Sequence, residues 1–551
     1  LTNDTTYAIS VIATNLEGDS DPSATVSATP FLPTVPDPPT NLGAYRGDGY
    51  ASITWDAPTY TGTSAIVSYT VTSDPEALTC TSATTTCVVS GLANGTTYTF
   101  TATATNNAGE GPSSAASNPT IPNELESAWI DQFGSNPDGT DSARRTAIAD
   151  DGSIYVVGET YANIEGTNAG QIDVFIRKYN ATGTPQWTDQ IGAWGQDEVR
   201  AVTVASDGSI YFAGTTQGNL APGGEGGLRD AFIGKYQADG TQNWVIEFGT
   251  SSSEYVEEIS ELPNGNILVA GSTDGTIEGA HNGTSYDVFL AEYDPAGNLI
   301  WVDEFGTPST DWADALAIST DGEIYVGGFT HYDISCECSD PTLYGGTDAF
   351  IRKYNPDRSV AWTEQFGSDG TDYLYSMTIT PDGNIVATGN VQGDFEVESG
   401  GDNDGYVRMY SPDGTHIWTA QIQEQYWDII YGIVSDKNGD LYIAGYTQNT
   451  LGEFNFNEGG PYADAFLRKY RNDGSVAWTD VFGTSDNDEI RGMAIGENGD
   501  IVLTGLTNGL LSNGTSGVTR DAFIRKYSVP RPGPSNLVLA PSDGQVDVSW
   551  S

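Results

Sequence analysis

The chain has 551 residues, of which 75 are acidic and 21 basic, giving a formal net charge of -54. A field that negative repels nucleic acid and anionic lipid, so neither is an expected partner, while cations are drawn to it. No run is long enough for a transmembrane helix, so no direct membrane insertion is expected of this segment.

The composition suits a saline medium, where screening weakens self-repulsion. The length calls for several cores. Short alternating runs broken by Asp-Gly and Asn-Gly predict an all-β fold. Four cysteines in two close pairs fit an oxidising, extracellular or cell-surface setting.

At the start, LTNDTTYAISVIATNLEGDSDPS has a twin in LANGTTYTFTATATNNAGEGPS from Leu92. Each places a Leu six residues before a Tyr and then alternates into a Gly turn. The pattern resembles the last strands of a fibronectin type III domain, a β-sandwich, and the resemblance makes Tyr7 and Tyr98 tyrosine-corner residues. On it, residues 1–34 are the C-terminal part of one such module. Residues 35–122 are a complete one, carrying Trp55 and Tyr69, and 530–551 begin another, with Trp550 where Trp55 sits. The chain is therefore expected to be a section of something longer.

Cys80 and Cys87 flank the hairpin CTSATTTC, and a disulfide there is expected to add about 2.5 kcal/mol by loop-closure entropy. The Arg46–Asp48 triplet RGD falls on a turn between two strands, where Asp-Gly is ordinary turn chemistry.

From 123 to 529 a unit of about 57 residues recurs, a period that signals stacked repeats. Each unit predicts four strands. One opens on Trp, as in WIDQFG from Trp129. The next is rich in small apolar residues, as in ADALAIS. After an Asp-Gly or Asn-Gly hairpin turn comes a strand ending in Gly, as in SIYVVG, and then a variable loop. The last is DAFIRKY at 348–354 and 521–527, with near copies from Asp173, Asp230, Asp287, Asp404 and Asp464.

Both faces of DAFIRKY are apolar, so the strand must be covered on both sides, as in blades stacked about an axis. The series opens on an unpaired Trp strand and ends on an unpaired DAFIRKY. Pairing these two closes a ring of seven blades and removes an exposed edge. The pattern resembles the bacterial seven-bladed β-propeller repeat family, a family defined by architecture rather than activity.

An acid recurs ten positions before each hairpin Asp or Asn: Asp141, Asp197, Glu254, Asp311, Asp372, Asp428 and Asp488. Seven repetitions favour a carboxylate that locks the strand crossover through backbone N–H groups. The alternative is a ring binding a cation such as Ca2+. The same face gathers Trp194, Tyr255, Trp312, Tyr373 and Trp427, with His331, Tyr332, Tyr344, Phe454, Phe456 and Tyr462 in the longest loops. Aromatic faces beside acids would suit glycans.

Cys336 and Cys338 beside His331 match no strong zinc spacing, and a disulfide is the expected state. Three isolated histidines suggest no catalytic set. The expected function is a non-enzymatic adhesion or assembly platform on fibronectin-type spacers, with other surface proteins or neighbouring copies as partners. A carbohydrate-binding propeller and a polysaccharide-degrading enzyme are the alternatives.

Overall fold

The computed structural model describes the chain outside residues 136–138, 222–227, 278–284, 336–345, 394, 396–402, 423–426, 449–450, 452–461, 512–519, 530–537, 543–544 and 550–551. All its named elements are β-strands. The chain divides into two compact units, Leu1–Glu124 and Leu125–Ser551.

In the first unit, Thr40–Gly47, Tyr50–Asp56 and Thr86–Ser90 form one sheet. Ile66–Asp74, Thr79–Ser82, Thr99–Asn106 and Gly109–Glu110 form a second. Burial alternates residue by residue along YASITWD and TFTATATN, as a half-buried sandwich strand requires. Trp55 meets Tyr69 edge-on at 5.4 Å within this core. The Tyr98 hydroxyl accepts the N–H of Ala93 at 3.0 Å, and the Tyr7 hydroxyl accepts that of Thr2 at 2.8 Å, so both tyrosines tie back five residues upstream. The Cys80–Cys87 disulfide, with Cα atoms 6.1 Å apart, links an edge strand of one sheet to an edge strand of the other. Arg46–Asp48 lies on the tight hairpin between Thr40–Gly47 and Tyr50–Asp56.

In the second unit one four-stranded antiparallel pattern recurs. Sheet one comprises Asp141–Ile148, Ile154–Thr160, Asp173–Tyr179 and Pro185–Ile191, in that order. Sheets two to six follow the same order, their first strands being Asp197–Val204, Glu254–Glu261, Asp311–Ile318, Asp372–Ile379 and Asp428–Ser435. In sheet seven, Asp488–Ile495, Ile501–Thr507 and Asp521–Ser528 are followed by Glu126–Phe133 from the other end of the unit, paired antiparallel. First strands of successive sheets pack on one another, and Asp488–Ile495 packs on Asp141–Ile148. Second strands are buried at nearly every residue, which explains their unbroken apolar runs.

The repeated letters now have separate jobs. Phe175, Phe289, Phe350 and Phe523 are wholly buried between sheets, each a contribution of about 2–3 kcal/mol. Where the Trp strand of the preceding sheet carries an Asp, the closing Tyr reaches back to it: Tyr236 to Asp189 at 2.7 Å, Tyr354 to Asp303 at 2.7 Å, Tyr527 to Asp480 at 2.8 Å. Lys reaches forward to a turn carbonyl of the next sheet, as Lys178 does to Ala238 at 2.9 Å and Lys353 to Pro412 at 2.9 Å. The indoles of Trp187 and Trp362 donate to those same two carbonyls. Across the junction of sheets seven and one, Tyr179 donates to Asp131 at 2.8 Å and Lys526 to the Ala181 carbonyl at 3.1 Å.

Within 530–551 the described residues form a backbone hairpin of Val538–Ser542 with Gln545–Ser549; Trp550 lies outside the described residues.

Candidate functional site

The recurring acid opens the first strand of every sheet. Each of the seven is at most 1% exposed, enclosed by its own crossover rather than facing an opening. Asp311 shows the arrangement. It accepts the N–H of Thr307 at 2.5 Å, the Thr307 hydroxyl at 2.9 Å and the Thr330 hydroxyl at 2.5 Å. Glu254 and Asp488 repeat it with Thr250 and Thr273, and with Thr484 and Thr507. Asp372 uses Ser368, Asp141 uses Ser135, and Asp197 uses the N–H of Ala193 with the Thr216 hydroxyl.

The glycine that follows most Trp strands stands between this acid and the Asp that opens DAFIRKY. A β-carbon at Gly367 would lie 2.5 Å from Asp348 Oδ1 and 2.6 Å from Asp372 Oδ2. Burial pushes Asp311 and Asp372 up to about 6, the facing Asp287 and Asp348 carboxylates add to the rise, and the hydrogen bonds only partly offset it. Asp197 and Asp488 are raised for the same first cause.

Side chains of differing chemistry are found three residues further on. In every first strand the ladder slips, and one residue is bulged out: Arg144, Arg200, Glu257, Asp314, Tyr375, Tyr431 and Arg491 in sheets one to seven. A bulge re-aims its side chain away from the sheet. Here the re-aimed side chains of neighbouring sheets meet one another. Tyr375 and Tyr431 have ring centroids 5.3 Å apart, and the Arg491 guanidinium lies 4.6 Å from the centre of the Tyr431 ring. Arg145, next to a bulge, donates to the Arg491 carbonyl at 2.6 Å.

Three of the predicted aromatics join this group. Tyr255 and Trp312 are 5.1 Å apart, Trp312 stacks on Phe329 at 6.4 Å, Phe329 meets Tyr373 at 4.9 Å, and Tyr373 stacks on Tyr375 at 5.8 Å. The result is an aromatic arc over sheets three to six. The rest of the circuit is ionic: Arg144 with Glu159 at 2.6 Å, Glu198 with Arg200 at 2.7 Å and with Arg229 at 2.9 Å, and Arg491 with Glu489. Arg229 lies 5.5 Å from the centre of the Tyr255 ring and joins the ionic part to the aromatic part.

A cavity of about 160 Å³ adjoins the group, lined among others by Arg145, Glu258, Tyr375, Tyr431 and Met493. Burial pushes Glu258 up to about 7 against the pull of Arg145. Burial likewise raises Glu257 and Asp314, and the Glu257 charge adds to the rise at Asp314.

Trp194 and Trp427 are 80% and 43% exposed, and neither is in ring contact with the arc among the described residues. The backbone N–H and C=O of Tyr332 both bond to the Thr330 hydroxyl, and His331 Nδ1 is 2.9 Å from the Thr310 carbonyl. Phe454, Phe456, Tyr344, Cys336 and Cys338 lie outside the described residues. The bulge ring escaped sequence reasoning, which looked for what repeats. Aligning the units on the acid would have drawn attention to it, because the third residue after the acid is one of the positions that change chemical class around the series.

Residues 37–120 match the family model of the fibronectin type III domain. The chain is 21% identical over 439 residues to an uncharacterised WD repeat-containing protein of Acanthamoeba polyphaga mimivirus, covering 62% of this chain and 32% of that one. It is 23% identical over 419 residues to regulatory protein FlaEY of Caulobacter vibrioides, covering 70% and 39%. The chain thus spans less than half the length of these relatives. Similar solved structures include YCF48 bound to D1 peptide (12% identity, TM-score 0.39, 76% of this chain and 98% of that one). Another is the exotype rhamnogalacturonan lyase YesX (13% identity, TM-score 0.34, 90% of each chain).

Proposed function

We propose that this chain is part of a non-enzymatic extracellular or cell-surface protein. The second unit acts as a closed seven-bladed propeller of the bacterial repeat type, and the fibronectin type III modules act as spacers. The propeller serves as an adhesion or assembly platform that recognises other surface proteins or neighbouring copies through the mouth of its central channel. The observation that carries this reading is asymmetry: on a scaffold that repeats its core letters, the bulge residues run Arg, Arg, Glu, Asp, Tyr, Tyr, Arg. Folding asks for no such variation, whereas a single asymmetric partner does.

The sevenfold acids are read as crossover locks, with Ca2+ binding there as the alternative that chelation addresses. Glycan recognition is the second reading, favoured by the Tyr255, Trp312, Phe329 and Tyr373 faces beside carboxylates. Immobilised protein should retain cell-surface material or further copies of itself, and Trp312→Ala and Arg491→Ala should each weaken that retention at unchanged melting temperature. Glycan-array binding sensitive to Trp312→Ala would favour the second reading. Retention indifferent to both substitutions, or cleavage of a polysaccharide by the purified chain, would overturn the proposal.

A further inference from the structure

Resting on the reading of the channel mouth as a recognition surface, we propose that Trp312, Phe329, Tyr373 and Tyr375, together with Asp314, form a binding site for an organic ammonium group. The first support is the distribution of charge. Glu159, Glu198 and Glu489 each hold a guanidinium at the mouth. Asp314 forms no ion pair among the described residues: its Oδ2 is buried without a hydrogen-bond partner, and Glu257 acts on it more strongly than Arg145, Arg200 or the Trp312 side chain, which favour its charge.

The second support is the distribution of cations over rings. Arginines lie against Tyr431 and Tyr255, at the two ends of the arc. Among the described residues no lysine or arginine lies over the four rings between them, which are the ones nearest Asp314 in the series. Ring faces beside a desolvated carboxylate stabilise an ammonium ion through the ring quadrupole and the opposite charge together. A hard metal ion would instead need six or more oxygens. Among the described residues no group of three or more His, Cys, Asp or Glu is arranged to hold one. The net charge of -54 concentrates cations around the whole chain.

Calorimetric titration of the full chain with Nα-acetyl-lysine methylamide, its trimethylated form and the neutral Nα-acetyl-norleucine methylamide tests the site. The two ammonium probes should bind and the norleucine probe should not. Asp314→Asn, which keeps the side-chain shape, should weaken the ammonium probes at least tenfold. Tyr373→Leu should do the same, and it serves as the variant if Asp314→Asn fails to fold. Equal binding of the norleucine probe, no saturable binding of either ammonium probe, or unchanged affinity in the folded variants would each overturn the inference. So would competition by Ca2+ but not by tetramethylammonium. Retention of surface partners without ammonium binding would remove this inference and leave the platform reading standing.

Discussion

The pairing of the two extremities of the repeat unit can be tested with one side chain and a built-in control. Gln132, on Glu126–Phe133, donates to the Gly509 carbonyl and to Asp521 Oδ2, both at 2.9 Å, and accepts the N–H of Leu511 at 2.9 Å. Gln190, at the same position of sheet one, makes the same three bonds with Ala162 at 3.1 Å, Asp173 at 2.9 Å and Ile164 at 3.0 Å. Gln190 and its partners are close in sequence, whereas Gln132 and its partners are 377 to 389 residues apart.

Truncation to alanine removes two neutral hydrogen bonds at about 1 kcal/mol each and one to a carboxylate at about 2 kcal/mol, so each variant should lose about 4 kcal/mol. For a cooperative unit of this size that corresponds to a fall in melting temperature of roughly 5 °C. Differential scanning calorimetry of Gln132→Ala and Gln190→Ala reads both directly. If Gln190→Ala falls as expected while Gln132→Ala melts with the parent, the first and last strands are not joined, and the closed ring is wrong.

Four further outcomes follow from the buried acids and the disulfide. Asp311→Ala should cost about 3 kcal/mol, because it strands the N–H and hydroxyl donors of Thr307 inside the crossover and removes one bond of the Thr330 hydroxyl. A chelator should leave the parent melt unmoved, and a shift in urea or thermal melts on adding EDTA would assign Ca2+ to these acids. Stability should rise as pH falls from about 7 to about 5. Asp311 and Asp372 sit near 6 when folded, above their unfolded values, so the stability they contribute is complete below the unfolded value and lost as pH climbs through the folded one. The turn carboxylates held low by backbone N–H groups, such as Asp151 and Asp207, act in the opposite sense only below about pH 4; a melt that rises steadily from pH 5 to 8 would contradict the sign. Replacing Cys80 and Cys87 by alanine should lower the melt of the first unit by about 2.5 kcal/mol, with the second unit unaffected.

The all-β character and the four-strand unit were legible because their causes are local. Two-residue Asp-Gly and Asn-Gly turns dictate hairpins, and period-2 patterns dictate faces. Tyr98, Trp55 and the Cys80–Cys87 pair were legible for the same reason, since each partner lies within a strand or two. The letters of DAFIRKY could be counted from sequence, but the jobs of its Lys and Tyr could not, because their partners belong to adjacent sheets. The glycine after the Trp strand is a similar case. It reads as a turn residue until Asp348 and Asp372 are seen to converge on Gly367. The bulge ring was the least legible, since a bulge is a slip between two strands and its positions show only when the repeats are compared with one another.

On the proposed reading, that slip also separates what folding requires from what recognition would require. The residue before each bulge is apolar and several of those after it are small: Ala201 and Ala315 are almost wholly buried, and Gly492 sits where a β-carbon would be 2.7 Å from the Arg144 carbonyl, with Arg145 and Glu258 as the charged exceptions. Stability alone would favour side chains of that kind at the bulges too, since placing carboxylates and guanidinium groups where water is scarce costs more than their pairing returns unless the geometry is very good. Burial raises Glu257, Glu258 and Asp314 together, which means that their ionised forms work against the folded state. The chain tolerates that opposition at one ring of positions while it repeats the acid three residues earlier in every sheet. On the proposed reading, a partner that adds positive charge to that of Arg145 and Arg200 would offset the cost on binding, so the positions least favourable to folding would be the ones at which binding has most to gain.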